Sequence, residues 1–233
     1  IRPLFWIFLF LGMNYFIVSR GVSDGIERAS NILMPLLFVI LIAFCVRSLF
    51  LPGAKEGLSF LFHPDFSKID SGVVLRAMGQ AFFSLSLGMG TLITYASYFS
   101  DKTSLPKTAV TVASLDTFVA VLAGVIIFPA VFSFGISPSQ GPELIFITLP
   151  NVFQQIPGAY IWSVLFFVLI TVAALTSTIS LCEVAIAFLH EEFHFTRRRA
   201  SQILIFICLV MSTLCSLSFG PLSDFYILGF SIF

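Results

Sequence analysis

The sequence predicts an all-α fold, a polytopic bundle of membrane-spanning helices. Three observations carry that expectation. Of 233 residues, 58% are hydrophobic and only 10% are charged, whereas a soluble domain carries about a quarter charged residues. Apolar runs long enough to cross a hydrocarbon layer of about 30 Å recur along the chain. The 29 Phe add aromatic bulk suited to lipid and to helix–helix contacts. Mean hydropathy is +1.04. The formal net charge is +0, so nothing marks a nucleic-acid partner.

The apolar runs give spans over roughly 3–19, 31–50, 72–99, 107–135, 159–190 and 199–218, by the length criterion of about 20 residues. The tail 224–233 is expected to open a further helix. The chain starts on Ile1 and stops at Phe233 inside an apolar run, so the expectation is a piece of a longer protein forming one membrane domain over 1–233. Cys45, Cys182, Cys208 and Cys215 all lie in apolar runs without ligand-like spacing, and read as small buried hydrophobes.

Sidedness follows from the basic residues. Arg20 and Arg28, Lys102 and Lys107, and Arg197, Arg198 and Arg199 fall in alternate linkers. The opposite loops carry Lys55, Lys68 and Arg76, and 136–158 has no Lys or Arg. The positive-inside rule places the first set in the cytoplasm. The outside loop 136–158, rich in Pro and Gly, reads either as a lid packed on the protein or as an extended surface loop.

Polar groups at membrane depth are costly, so they are informative. The third span reads GQAFFSLSLGMGTLITY, with Ser84, Ser86, Gly88 and Gly90 near its midpoint. That composition favours a helix break whose freed backbone groups face a cavity, the way transporters build midplane binding sites. A kinked helix using Gly for close packing is the alternative. Asp116 lies too deep in the fourth span for an N-cap, and an ionised carboxylate there needs a cation or strong donors. A protonated or water-bound Asp is the alternative.

In the fifth span Ala173, Thr176 and Ser177 have the i, i+3, i+4 spacing of one helix face. Such hydroxyls either bond back to their own helix or join a set of neutral oxygens suited to sodium, by extension of the rule for hard cations. Glu183 is a second intramembrane acid, for which a water network is the plain explanation. His190-Glu191-Glu192-Phe193-His194 matches H-E-x-x-H, the zinc-protease signature. The spacing suits zinc, but no third ligand is evident.

Together the stretches GIERASNILMPLLFV, GQAFFSLSLGMGTLITYASY, ELIFITLPNVF and ALTSTISLCEVAIAFL resemble the neurotransmitter:sodium symporters in their bacterial branch. The resemblance implies the leucine-transporter-like inverted-repeat fold, with these spans as helices four to nine of twelve. It implies sodium-coupled symport of a small neutral amino acid or related amine by alternating access, with no bond made or broken. Sodium is then a co-transported ion, with no organic cofactor, and the surroundings are the cell membrane.

Carried over residue by residue, the resemblance assigns the first sodium to Ser84 and Asp116. The second falls to the Ala173 carbonyl, Thr176 and Ser177. Substrate contacts fall to Phe83, Ser84, Ser86, Met89, Ser177 and Leu181, and cytoplasmic gate roles to Tyr98 and Glu191. The chain departs from the family pattern at Asp116, usually Asn, at Ala120, where relatives carry an acid or a Ser, and at Met89, usually aromatic. The rival readings are an intramembrane zinc metalloprotease using His190 and His194, and a non-transporting membrane subunit.

Overall fold

Ten helical segments form in the computed structural model, which describes residues 2–135 and 158–218 and the backbone of 226–227 and 230–231. Helix α1 is Arg2–Val18. A π-helical turn, Val22–Glu27, runs straight into α2, Arg28–Leu49. Then come α3, Ala54–Phe62, a 3-10 turn at Phe66–Lys68, and α4, Ser71–Ser84. Helices α5, Thr91–Ser97, α6, Leu105–Ser133, α7, Ala159–Glu191, and α8, Arg197–Ser218, complete the set. A two-residue antiparallel pairing of Tyr226–Ile227 with Phe230–Ser231 stands where the tail was expected to open a helix. The expected outside loop falls at 136–157 outside the described residues.

Among the described residues, four helical runs are long and apolar enough to cross a membrane: Val22–Leu49, Leu105–Ser133, Ala159–Glu191 and Arg197–Ser218. With 33 residues, α7 is about 50 Å long at 1.5 Å per residue, more than the hydrocarbon core requires. The chain divides into two compact units, Ile1–Leu33 with Ala174–Phe233, and Met34–Ala173.

The core of the Met34–Ala173 unit is apolar side chains of α2, α6 and the first half of α7. Ile40, Leu41, Phe44, Cys45, Ile126, Ala130 and Phe166 are its buried members. The Phe44 ring meets Trp162 and Phe166 edge-on, with centroids 5.3 and 6.0 Å apart, the geometry that aromatic quadrupoles prefer. Two α2 side chains also reach carbonyls of α6. Ser48 Oγ donates to Val125 and Ile126 at 2.8 and 3.2 Å, and Cys45 Sγ to Leu122 at 3.4 Å. Cys45 and Cys182 are buried as expected, but Cys208 is half-buried and Cys215 exposed. An apolar run that faces lipid leaves its thiols at the protein surface.

Helix α3 had no counterpart in the reading of the sequence. Its Lys55 and Glu56 mark a loop by charge, yet its other face packs on the outer end of α6. Glycine makes this possible. A Cβ on Gly57 would stand 2.4 Å from the Pro129 nitrogen, and one on Gly53 2.4 Å from the Ser133 nitrogen. Gly53 N–H also donates to Ser133 Oγ at 2.8 Å. Beyond α3, the Ser67 hydroxyl and the Lys68 ammonium hold the exposed Asp65 carboxyl down to about 2. Asp70 then caps α4, its Oδ1 accepting from Val73 N–H at 2.6 Å.

In the other unit α1 packs against α8 and the π-helical turn. Gly25 sits so close to α1 that an added Cβ would lie 2.1 Å from the Ile17 carbonyl oxygen. Only hydrogen fits there.

Candidate functional site

The third span is broken, as its Ser and Gly content led us to expect. Helix α4 ends at Ser84 in a Schellman arrangement. Leu87 N–H donates to Phe82 C=O and Ser86 N–H to Phe83 C=O, both at 3.0 Å. The residue between the last helical turn and Leu87 must adopt a left-handed backbone. Glycine usually takes that place, but here it is Ser86, at φ 54°. Gly88 and Gly90 follow at φ 82° and 80°. A new helix starts with Thr94 N–H donating to the Gly90 carbonyl at 2.9 Å.

The break places Ser84 at the end of α4, opposite the middle of α6. Its hydroxyl oxygen lies 2.7 and 2.8 Å from the two carboxylate oxygens of Asp116. Ser84 is exposed and Asp116 half-buried. A hydroxyl has one proton to share between two acceptors, so oxygen outnumbers hydrogen here. Three oxygens with one formal negative charge make a hard ligand set of the kind that suits small oxygen-seeking cations.

The other expected site residues stand as follows. Phe83 is 67% and Met89 41% exposed, and Ser86 is half-buried. Ala173 belongs to the same unit as Ser84 and Asp116, whereas Thr176, Ser177 and Leu181 belong to the other. Thr176 is half-buried, and Ser177 and Leu181 are exposed. The neighbouring hydroxyls bond back to their own helix: Thr178 to Ala174 C=O at 2.7 Å, and Ser180 to Thr176 C=O at 3.2 Å. Tyr98 caps the end of α5 and Glu191 is the last, exposed residue of α7.

The H-E-x-x-H stretch forms the end of α7 and the turn into α8. His190 Nδ1 donates to the Phe195 carbonyl oxygen at 2.7 Å, and His194 takes a left-handed φ of 55°. Among the described residues no group of three His, Cys, Asp or Glu side chains is placed to hold a metal ion. The zinc-protease reading therefore gains no support.

Glu183, expected to be an intramembrane acid, has a partner that the sequence did not single out. Its side chain has no exposed surface, and the Arg197 guanidinium grips both its oxygens. Arg197 Nε donates in turn to the Val18 carbonyl oxygen at 3.0 Å. The signal was present, because a buried acid demands a counter-charge and the nearest basic run lay 14 residues ahead. Asn14 was missed outright. It is fully buried, with Nδ2 donating to the Phe10 carbonyl oxygen at 3.0 Å and Oδ1 without a partner among the described residues.

Residues 4–231 match the model of the Sodium:neurotransmitter symporter family. An uncharacterized sodium-dependent transporter of Haemophilus influenzae is 45% identical over 197 residues, 84% of this chain and 43% of that protein. One of Bacillus subtilis is 39% identical over 225 residues, 97% of this chain and 50% of that protein. The crystal structure of MhsT in complex with L-phenylalanine superposes with a TM-score of 0.83 at 51% identity, covering 99% of this chain and 53% of that one. The chain thus spans about half the length of the relatives it matches, and its fold is the leucine-transporter-like helical fold. It is a multi-pass membrane protein and belongs to the sodium:neurotransmitter symporter family.

Proposed function

We propose that the protein containing this chain carries a small neutral amino acid, or a related amine, across the cell membrane together with sodium. The observation that supports this most is the Ser84 hydroxyl set between both oxygens of Asp116, at the end of a helix broken in mid-span. Sodium is cargo here. Ser84 and Asp116 would supply oxygens to one ion, and the Ala173 carbonyl, Thr176 and Ser177 to a second. The Asp116 charge offsets the cation's, so it makes a chloride counter-ion unnecessary.

Substrate would lie along the opened backbone at 84–89, under Phe83, with Ser86, Met89, Ser177 and Leu181 as further contacts. Phe83, Met89 and Leu181 are apolar yet exposed, which suits a neutral, apolar side chain. Phenylalanine bound to MhsT, which is 51% identical to this chain, fits that class. Tyr98 and Glu191 would act at the cytoplasmic gate. Sodium entry is driven by its gradient and by the membrane potential, worth about 2.3 kcal/mol per charge per 100 mV.

The test is binding of a panel of labelled amino acids to the full-length protein with and without sodium. Saturable, sodium-dependent binding of neutral amino acids is expected, weakened by Ser84→Ala. Binding that ignores sodium, or none at all, would overturn the proposal.

A further inference from the structure

Two cavities lie along and just past helix α1, and a side chain of one touches a side chain of the other. The first is an apolar groove of about 560 Å³, formed by Phe8, Gly12 and Phe16 of α1 with Ile32 and Leu33 of α2. Phe8 to Phe16 covers about 12 Å of helix. The second is a polar cleft of about 870 Å³ past the end of α1, lined by Tyr15, Arg20, Asp24, Arg198 and Gln202, with Arg197 at its wall. The Arg20 guanidinium of the cleft lies over the Phe16 ring of the groove, 3.7 Å from its centroid.

We propose that these cavities together bind one anionic glycerophospholipid. An acyl chain occupies the groove, and the phosphodiester lies between Arg20 and Arg198. Asp24 accepts from hydroxyls of the headgroup.

Charge decides the lipid class. Arg197 is committed to Glu183 and to the Val18 carbonyl, so those two charges cancel. Arg20 and Arg198 remain against Asp24, and among the described residues neither arginine forms an ion pair. Two positive charges and one negative leave a single positive charge, which one phosphodiester neutralises. A second phosphate would overshoot it, and a zwitterionic lipid would leave it unbalanced.

Hydrogen bonding agrees. A guanidinium stacked on a ring keeps its edge N–H groups for oxygen acceptors. The Tyr15 hydroxyl accepts from Gln202 Nε2 at 3.3 Å, which leaves its own proton to donate. The groove has room, since a Cβ added at Gly12 would meet nothing within 4 Å. Its basic end lies on the side that the positive-inside rule assigns to the cytoplasm, where anionic lipid attracts Lys and Arg.

The test is native mass spectrometry of the full-length protein in detergent, titrated with phosphatidylglycerol, phosphatidylethanolamine or glycerol 3-phosphate. A one-to-one phosphatidylglycerol adduct is expected, at least fivefold more populated than with phosphatidylethanolamine. The double variant Arg20→Gln/Arg198→Gln, and separately Gly12→Leu, which fills the groove, should each reduce the adduct about tenfold. Melting in lipid-free detergent checks that each variant folds, and Arg198→Gln alone, at an exposed side chain, stands in if the double variant does not. Equal adducts with phosphatidylethanolamine would overturn the proposal. So would variants that keep the adduct, or full competition by glycerol 3-phosphate with Gly12→Leu unaffected, which would mark a phosphate site without a lipid.

Discussion

Arg197 holds both carboxylate oxygens of Glu183, a side chain with no exposed surface. Removing one partner from a buried pair strands the other charge and costs roughly 3–5 kcal/mol. Glu183→Leu and Arg197→Leu should each lower the melting temperature of the full-length protein sharply. The double variant should lose less than the sum of the two. Arg197→Lys should not rescue, because an ammonium cannot match the two-pronged contact and also reach the Val18 carbonyl. Strict additivity in calorimetry would show that the pair is not coupled.

The α3–α6 contact makes a prediction about backbone approach. An added methyl at Gly57 meets the Pro129 backbone at 2.4 Å, whereas at Gly124 it meets the flexible tip of Leu61 at 3.1 Å. Gly57→Ala should therefore destabilise by about 1–3 kcal/mol, as overpacking does. Gly124→Ala should be close to neutral, since Leu61 can turn aside and Ala favours the helix. Denaturant titration of both variants checks the order.

Adjacent hydroxyls of α7 should behave differently. Thr178 lies outside the ion ligands proposed above, so Thr178→Ala should leave the sodium dependence of substrate binding unchanged. Thr176→Ala should shift it to higher sodium by tenfold or more, about 1.4 kcal/mol or beyond. Unchanged sodium dependence in Thr176→Ala would remove the second ion site from the proposal.

The charge at Asp116 bears on chloride. With sodium fixed, uptake by the wild-type protein should not respond to replacing chloride by gluconate. Asp116→Asn removes the local negative charge while keeping the shape, so it should weaken sodium binding and make the remainder chloride-stimulated. Chloride-stimulated uptake in the wild type would sink this idea.

Much of the site region was legible because the residues concerned break a strong pattern. Ser84, Ser86, Gly88 and Gly90 interrupt an otherwise apolar span, and the helix does stop there, with positive φ at 86, 88 and 90. Asp116 stood out as a carboxylate far from any helix end. Its contact with Ser84 came from family resemblance, because spacing along a chain does not say which spans are neighbours. Helix α3 was illegible for a different reason. Nine residues with a Lys and a Glu look like a loop, and what makes them a helix is the seat that Gly53 and Gly57 find on α6. Glu183 was seen but its partner was not, since Arg197 reads first as a topology charge.

Helix α6 is fastened like a column along its outer half. Cys45 and Ser48 bond its carbonyls at Leu122, Val125 and Ile126, and α3 is wedged against it at Pro129 and Ser133. Asp116 sits about 20 Å below Pro129 on the same rod. A column held at those points cannot turn about its own axis without breaking these contacts, so the backbone that carries Asp116 is fixed in rotation. Asp116 therefore keeps its place along α6 while Ser84 stands at the very end of α4, where the helix gives way to the positive-φ residues 86, 88 and 90.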